Sequence, residues 1–150
     1  MSLFSKAELR TKPSFKTNAS AILLYESKLQ KAQGYDVFLS HSYLDAPYIY
    51  AIKVEIERQG FSVYVDWVDD RQLDRSNVTK ETARRLKERM QSCTSLFYAT
   101  TDNAQGSVWM PWELGYFDGI KGKVAVLPVT ETPTDSDEYK GREYLGLYPY

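Results

Sequence analysis

Between Tyr35 and Val129, short apolar runs alternate with stretches of helical period. Tyr35-Asp-Val-Phe-Leu39, Phe61-Ser-Val-Tyr-Val-Asp66, Ser95-Leu-Phe-Tyr-Ala99 and Val124-Ala-Val-Leu-Pro-Val129 are rich in β-formers and read as strands. Residues 45–58 read as a helix: Asp45 caps it, Pro47 sits in its first turn, and Tyr48, Ile49, Ile52 and Ile56 share a face. Asn77 caps a second helix running to about residue 92, with Ala83, Leu86 and Met90 facing inward. Residues 108–120 make a third. Strands that alternate with helices and carry apolar residues on both faces form a parallel sheet with helices on both sides.

With Glu143-Tyr-Leu-Gly-Leu147 as a last edge strand, the pattern predicts an α/β, flavodoxin-like sheet of five parallel strands in the order 2-1-3-4-5. In that topology ligands bind at the carboxyl ends of the first and third strands, where the winding reverses. Ser40-His41-Ser42-Tyr43 and Thr100-Thr101-Asp102 stand at those ends. The segment 1–34 reads as an added N-terminal arm and helix, and 35–150 as the domain proper. Residues 1–17 carry little periodicity and read as a loosely packed tail. Residues 18–33 read as a helix, with Asn18 as cap, Ile22, Tyr25, Leu29 and Ala32 at helical spacing, and Gly34 as stop.

Composition narrows the chemistry. One histidine (His41) and one cysteine (Cys93) cannot supply an internal disulfide or a four-ligand zinc site. Any serine–histidine triad would have to use His41 itself. Cys93 continues the apolar stripe of Met90 and reads as core. A net charge of −1 gives no electrostatic reason to expect nucleic acid or an anionic membrane as partner. No apolar run approaches the roughly 20 residues of a membrane span, and the first residues lack the apolar core of a signal peptide. The expectation is a cytoplasmic protein.

The richest block is Ser107-Val-Trp109-Met-Pro111-Trp112-Glu113-Leu-Gly-Tyr116. Pro111 belongs in the first turn of a helix. Trp109 and Glu113, four apart, stack on one helical face near the sheet's carboxyl edge. Trp67 opens the polar loop 67–77, in which Asp69, Asp70 and Arg71 read as solvated.

The run Tyr35-Asp-Val-Phe-Leu-Ser-His-Ser42 resembles the opening strand of TIR (Toll/interleukin-1 receptor) domains. Phe61-Ser-Val-Tyr-Val-Asp66 and its polar loop resemble their second strand and the loop after it. Ser107-x-Trp109-x-x-x-Glu113-Leu114 is similar to the helix motif of plant and bacterial TIR domains that cleave NAD+. The resemblance covers residues 35 to about 129 and implies an NAD+ glycohydrolase or cyclase. The glutamate that breaks the nicotinamide–ribose bond in that family matches Glu113. NAD+ is then the substrate, with no cofactor and no metal. Ser40, His41, Ser42 and Tyr43 match the loop that borders the nucleotide. Trp67 or Trp109 would stack on nicotinamide or adenine, and Asp102, at the end of the third strand, is a further candidate for binding the substrate. The family also implies an ADP-ribose-type signal in bacterial antiviral defence, a downstream effector, and homotypic association into oligomers.

Two other readings fit parts of the chain. A non-catalytic TIR scaffold would share the fold, but has no chemical need for Glu113. A nucleoside deoxyribosyltransferase-like enzyme would share the sheet, the Trp112-Glu-Leu-Gly-Tyr116 block and a Gly122-Lys123-Val124 strand start. The Asp36-Val-Phe-Leu-Ser-His-Ser42 run favours the TIR reading.

Overall fold

A computed structural model of the chain describes residues 4–12, 34–70, 73, 75–131 and 143–150. The described strands are β1 (Phe4–Ser5), β2 (Tyr35–Ser40), β3 (Val63–Tyr64), β4 (Cys93–Thr100) and β5 (Val124–Thr130). The helices are α1 (Lys6–Thr11), α2 (Ala46–Arg58), the single turn α3 (Asp66–Asp69), α4 (Lys80–Ser92) and α5 (Trp109–Ile120). Short 3₁₀ turns occupy Tyr43–Asp45, Asp102–Gly106 and Glu143–Leu147.

All strand pairs are parallel, in the spatial order β1-β5-β4-β2-β3. The expected five-stranded α/β sheet is therefore present, with one exchange. The edge position beside β5 belongs to Phe4–Ser5, paired to Val129 and Thr130, and not to residues 143–147. The segment 143–147 is a 3₁₀ turn, and the chain after it reaches back so that the Val126 amide donates to the Pro149 carbonyl at 2.8 Å. The helix expected over 18–33 lies outside the described residues.

Residues 4–11 correct the reading of a loose tail. Ser5 and Glu8 form a capping box, with the Glu8 amide donating to Ser5 Oγ and Glu8 Oε2 accepting from the Ser5 amide at 3.3 Å. This starts α1 directly after β1. Leu9 is buried in the core, and Lys6 pairs with Glu131 at 3.0 Å beyond the end of β5.

Side-chain alternation divides the core into two layers. Phe38, Leu96, Tyr98, Val124 and Val126 pack under α4 and α5 with Leu86, Met90, Met110, Leu114 and Phe117. Val37, Leu39, Ala99, Leu127 and Val129 pack on the other face with Leu9 of α1 and Ile49 and Ile52 of α2. Gly34 leads into β2 at φ +81°, and a Cβ there would meet the Ser92 carbonyl oxygen at 2.6 Å. Both the left-handed backbone and the close approach require glycine.

Two caps differ from expectation. Thr79, not Asn77, caps α4, its hydroxyl accepting from the Thr82 amide. Asp45 makes no cap bond to α2. It accepts from Thr101 Oγ1 at 2.5 Å and Asn103 Nδ2 at 2.8 Å, clamping the turn after β2 to the turn after β4.

Because Leu9 is 1% exposed, Leu9→Ala should destabilise the whole domain by about 2–5 kcal/mol. Urea unfolding should show a lower midpoint with unchanged slope. An unchanged midpoint would mean that α1 is not part of the cooperative unit.

Candidate active site

Two periodicities bring the site together. Ser40 follows Phe38 by two residues on β2, so its side chain points to the α5 face of the sheet. Glu113 follows Met110 by three residues and precedes Phe117 by four, so it lies on the stripe of α5 that faces the same layer. The two meet: Ser40 Oγ donates to Glu113 Oε2 at 2.6 Å. Both side chains are fully buried.

The other oxygen, Glu113 Oε1, accepts from Arg75 Nη2 at 2.6 Å. Arg75 belongs to the loop between α3 and α4, and its second amino group, Nη1, lies 3.2 Å from Asp66 Oδ2. One guanidinium thus spans two carboxylates from different elements. The Arg75 carbonyl accepts from Trp109 Nε1 at 2.8 Å, which fastens the loop to the start of α5. Burial alone would raise the Glu113 carboxyl above the ordinary range. The Arg75 charge and the Ser40 hydroxyl pull it back without cancelling that rise. For Arg75, burial opposes the cation, but Glu113 and Asp66 outweigh it and the guanidinium is held more firmly charged than usual.

His41 sits beside this pair. Its Nδ1 lies 2.8 Å from the Leu39 carbonyl and its Nε2 accepts from Trp67 Nε1 at 3.0 Å. This pattern assigns the neutral tautomer with the proton on Nδ1. Burial pushes the His41 pKa below 6.5, only partly offset by Asp66, whose Oδ1 is 3.6 Å from Nε2.

The loop base is anchored, against the expectation of a solvated stretch. Asp70 accepts from Arg89 at 2.7 and 3.1 Å and from Tyr64 Oη at 2.8 Å. Asp69 accepts from the Val65 amide at 2.7 Å and from Tyr35 Oη at 3.3 Å. Arg71 lies outside the described residues.

Of the residues singled out from the sequence, Ser40 and Glu113 touch, His41 and Trp67 touch, and Trp109 joins them through Arg75. Ser42 is buried at the β2 end, where its carbonyl accepts from the Asp45 amide. Tyr43 is exposed and makes no contact with Glu113, whose two partners are Ser40 and Arg75 among the described residues. Asp102 is exposed at the start of its 3₁₀ turn. Both indole N–H groups serve as tethers, Trp67 to His41 and Trp109 to the loop. Arg75 and the bridging role of Asp66 were not legible in the sequence. Among the described residues no cluster of three or more His, Cys, Asp or Glu could hold a metal, and no helix is long and apolar enough to cross a membrane.

No family model matches the chain. It is 66% identical over 116 residues to the probable 3′ cyclic ADP-D-ribose synthase ThsB′ of Bacillus cereus (strain MSX-D12), a match that spans 77% of this chain and 60% of that protein. It is 35% identical over 91 residues to the putative cyclic ADP-D-ribose synthase TIR2 of Cytobacillus dafuensis, spanning 60% of this chain and 24% of that protein. The chain therefore spans less than two thirds of the length of either relative. Among solved structures, the TIR domain of the Toll-related receptor TRR-2 from Hydra magnipapillata superposes with a TM-score of 0.54 over 77% of this chain and 82% of that one. At 15% identity that likeness speaks to the fold.

His41 is the only imidazole in the chain, so its resonances can be followed without ambiguity. Its folded pKa lies below 6.5 while the unfolded chain takes the ordinary value. The unfolded state therefore binds the proton first as pH falls. This share of stability is present above about pH 6.5 and is lost as pH drops toward the folded pKa. An NMR titration should find the neutral, Nδ1-protonated form of His41 predominant at pH 6.5. A midpoint at or above 6.5 would contradict the assigned environment.

Proposed function

The chain is a bacterial TIR domain closed over a buried glutamate, and from that premise we propose that it cleaves the nicotinamide–ribose bond of NAD+ and converts the ADP-ribose moiety to a cyclic product. The observation that carries this reading is the placement of Glu113. A carboxylate on the core-facing stripe of a helix, 0% exposed and held by one hydroxyl and one guanidinium, has no role in solubility and is costly to bury. Two relatives bearing the name of cyclic ADP-ribose synthases support the same assignment.

Nicotinamide leaves as a neutral molecule, so no acid has to protonate it. What the site must supply is a negative charge beside the ribose carbon as positive charge grows there. A carboxylate about 4 Å away, at an effective dielectric near 20, contributes about 4 kcal/mol, roughly a thousandfold in rate. Ser40 fixes the plane of the Glu113 carboxylate through Oε2, leaving Oε1 for the sugar. Arg75 fills that position in the closed form. Substrate entry thus requires Arg75 to release Oε1, whereupon ribose hydroxyls take over its hydrogen bonds and orient the sugar.

The cyclic product would act as a signal in bacterial antiviral defence, read by a separate effector in the cytoplasm. Homotypic association of TIR domains would complete or stabilise the open site.

Incubation of the purified chain with NAD+, followed by chromatographic separation of nicotinamide, ADP-ribose and cyclic isomers, tests the reading directly. Glu113→Gln should lower nicotinamide release about a thousandfold, the factor expected for one charge. Release that persists in Glu113→Gln would remove Glu113 from the chemistry.

A further inference from the structure

We propose that Asp66 is the second working carboxylate of the site, the base that takes the proton from the oxygen nucleophile attacking the ribose after nicotinamide has left; this rests on the NAD+ reading above. The loss of nicotinamide is balanced without a proton. The carbon–nitrogen bond breaks, its electron pair goes to the ring nitrogen, and the ribose carbon is left cationic. The next step is different. A water or a hydroxyl of the same molecule attacks that carbon, an O–C bond forms, an O–H bond breaks, and the proton must be accepted by something in the site. Ordinary glycosidases divide such labour between two carboxyl groups, one of them serving as base. Here the acid is dispensable and the base is not.

Asp66 is placed for that task. It and Glu113 lie on the two amino groups of one guanidinium, so the same departure of Arg75 uncovers both. Its Oδ2 holds Arg75, while its Oδ1 is buried and has no hydrogen-bond partner among the described residues. The neighbouring His41 Nε2 is 3.6 Å away, beyond hydrogen-bond distance, and its lone pair is already taken by the Trp67 indole. An unsatisfied carboxylate oxygen inside a protein is costly and uncommon. Here it presents a free acceptor beside the charge that contacts the sugar. Glu113 is less suited to the role, because its oxygens are committed to Ser40 and to the ribose.

The test separates attack by oxygen from attack by a pyridine nitrogen. Exchange of isotopically labelled nicotinamide into NAD+ remakes the carbon–nitrogen bond with a lone pair and releases no proton. Asp66→Asn should therefore retain this exchange within a few fold, while its formation of cyclic product and ADP-ribose falls about a hundredfold or more, as expected for loss of a general base. Asp66→Glu, which keeps a carboxylate, should recover part of that loss. Equal loss of exchange and product in Asp66→Asn would reduce Asp66 to holding the loop and overturn the proposal, as would undiminished product. The wild-type protein gives a check that needs no variant to fold. Deuterated water should slow product formation more than exchange, and an equal effect on both would overturn the proposal. Loss of both reactions in Glu113→Gln is expected on either account. Absence of both in the wild-type chain would instead refute the NAD+ reading, and the proposal with it.

Discussion

The arrangement depends on one buried carboxylate held, among the described residues, by two donors: the hydroxyl of Ser40 and the guanidinium of Arg75. Without them Glu113 would be an ionised group in the apolar layer beneath α5, which a domain of marginal stability could not tolerate. With Arg75 shared between Glu113 and Asp66, the layer contains a network of alternating charge. That network ties the end of β2, the turn α3, the following loop and the start of α5 into one unit. The closed site is therefore also a structural joint, and any ligand that enters must replace the contacts it displaces.

The sheet explains why these four segments meet. β2 is flanked by β3 and β4, and all run in the same direction. Their carboxyl ends therefore deliver Ser40, Asp66 and Thr101 to one edge. Asp45 clamps two of those ends together through Thr101 and Asn103. Just beyond β3, Asp69 and Asp70, with Arg89, fasten the base of the loop to the sheet and to α4.

The main strands and helices between Tyr35 and Val129 could be read from the sequence because their hydrophobic periods, two and 3.6, are local properties; the single turn α3, four residues long, fell inside what read as a strand end and a polar loop. Glu113 stood out through its spacing from Trp109 and the motif Ser107-x-Trp109-x-x-x-Glu113, while its burial on the stripe of Met110 and Phe117 emerges only in the fold. The edge strand was misplaced because Phe4–Ser5 pairs with β5 across the whole chain, and two residues leave no periodic trace. Asp45 has the sequence position of a helix cap, and only its neighbours on β4's turn reveal that its oxygens are used elsewhere. Arg75 was missed for a related reason. It lies in a polar loop among other charged residues, and what distinguishes it is the pair of carboxylates that the fold brings to its two amino groups.

The strengths of the contacts on Arg75 indicate how the joint can open. The Trp109 indole bond to its carbonyl is neutral and of the kind that contributes about 1 kcal/mol net. The two carboxylate contacts are charge-assisted and stronger, yet they draw on charges whose burial is itself unfavourable. When Arg75 leaves, Glu113 and Asp66 lose their counter-charge together, so an empty open site would hold two uncompensated carboxylates side by side. A ligand that brings hydroxyl donors for Glu113 and a positively charged ring beside it relieves that repulsion. The cationic nicotinamide ribose has both features, while its neutral product keeps only the hydroxyls. On the proposed NAD+ reading, the pairing that holds Arg75 on both carboxylates without substrate would be exchanged for contacts to the cationic nicotinamide ribose and restored once nicotinamide had gone.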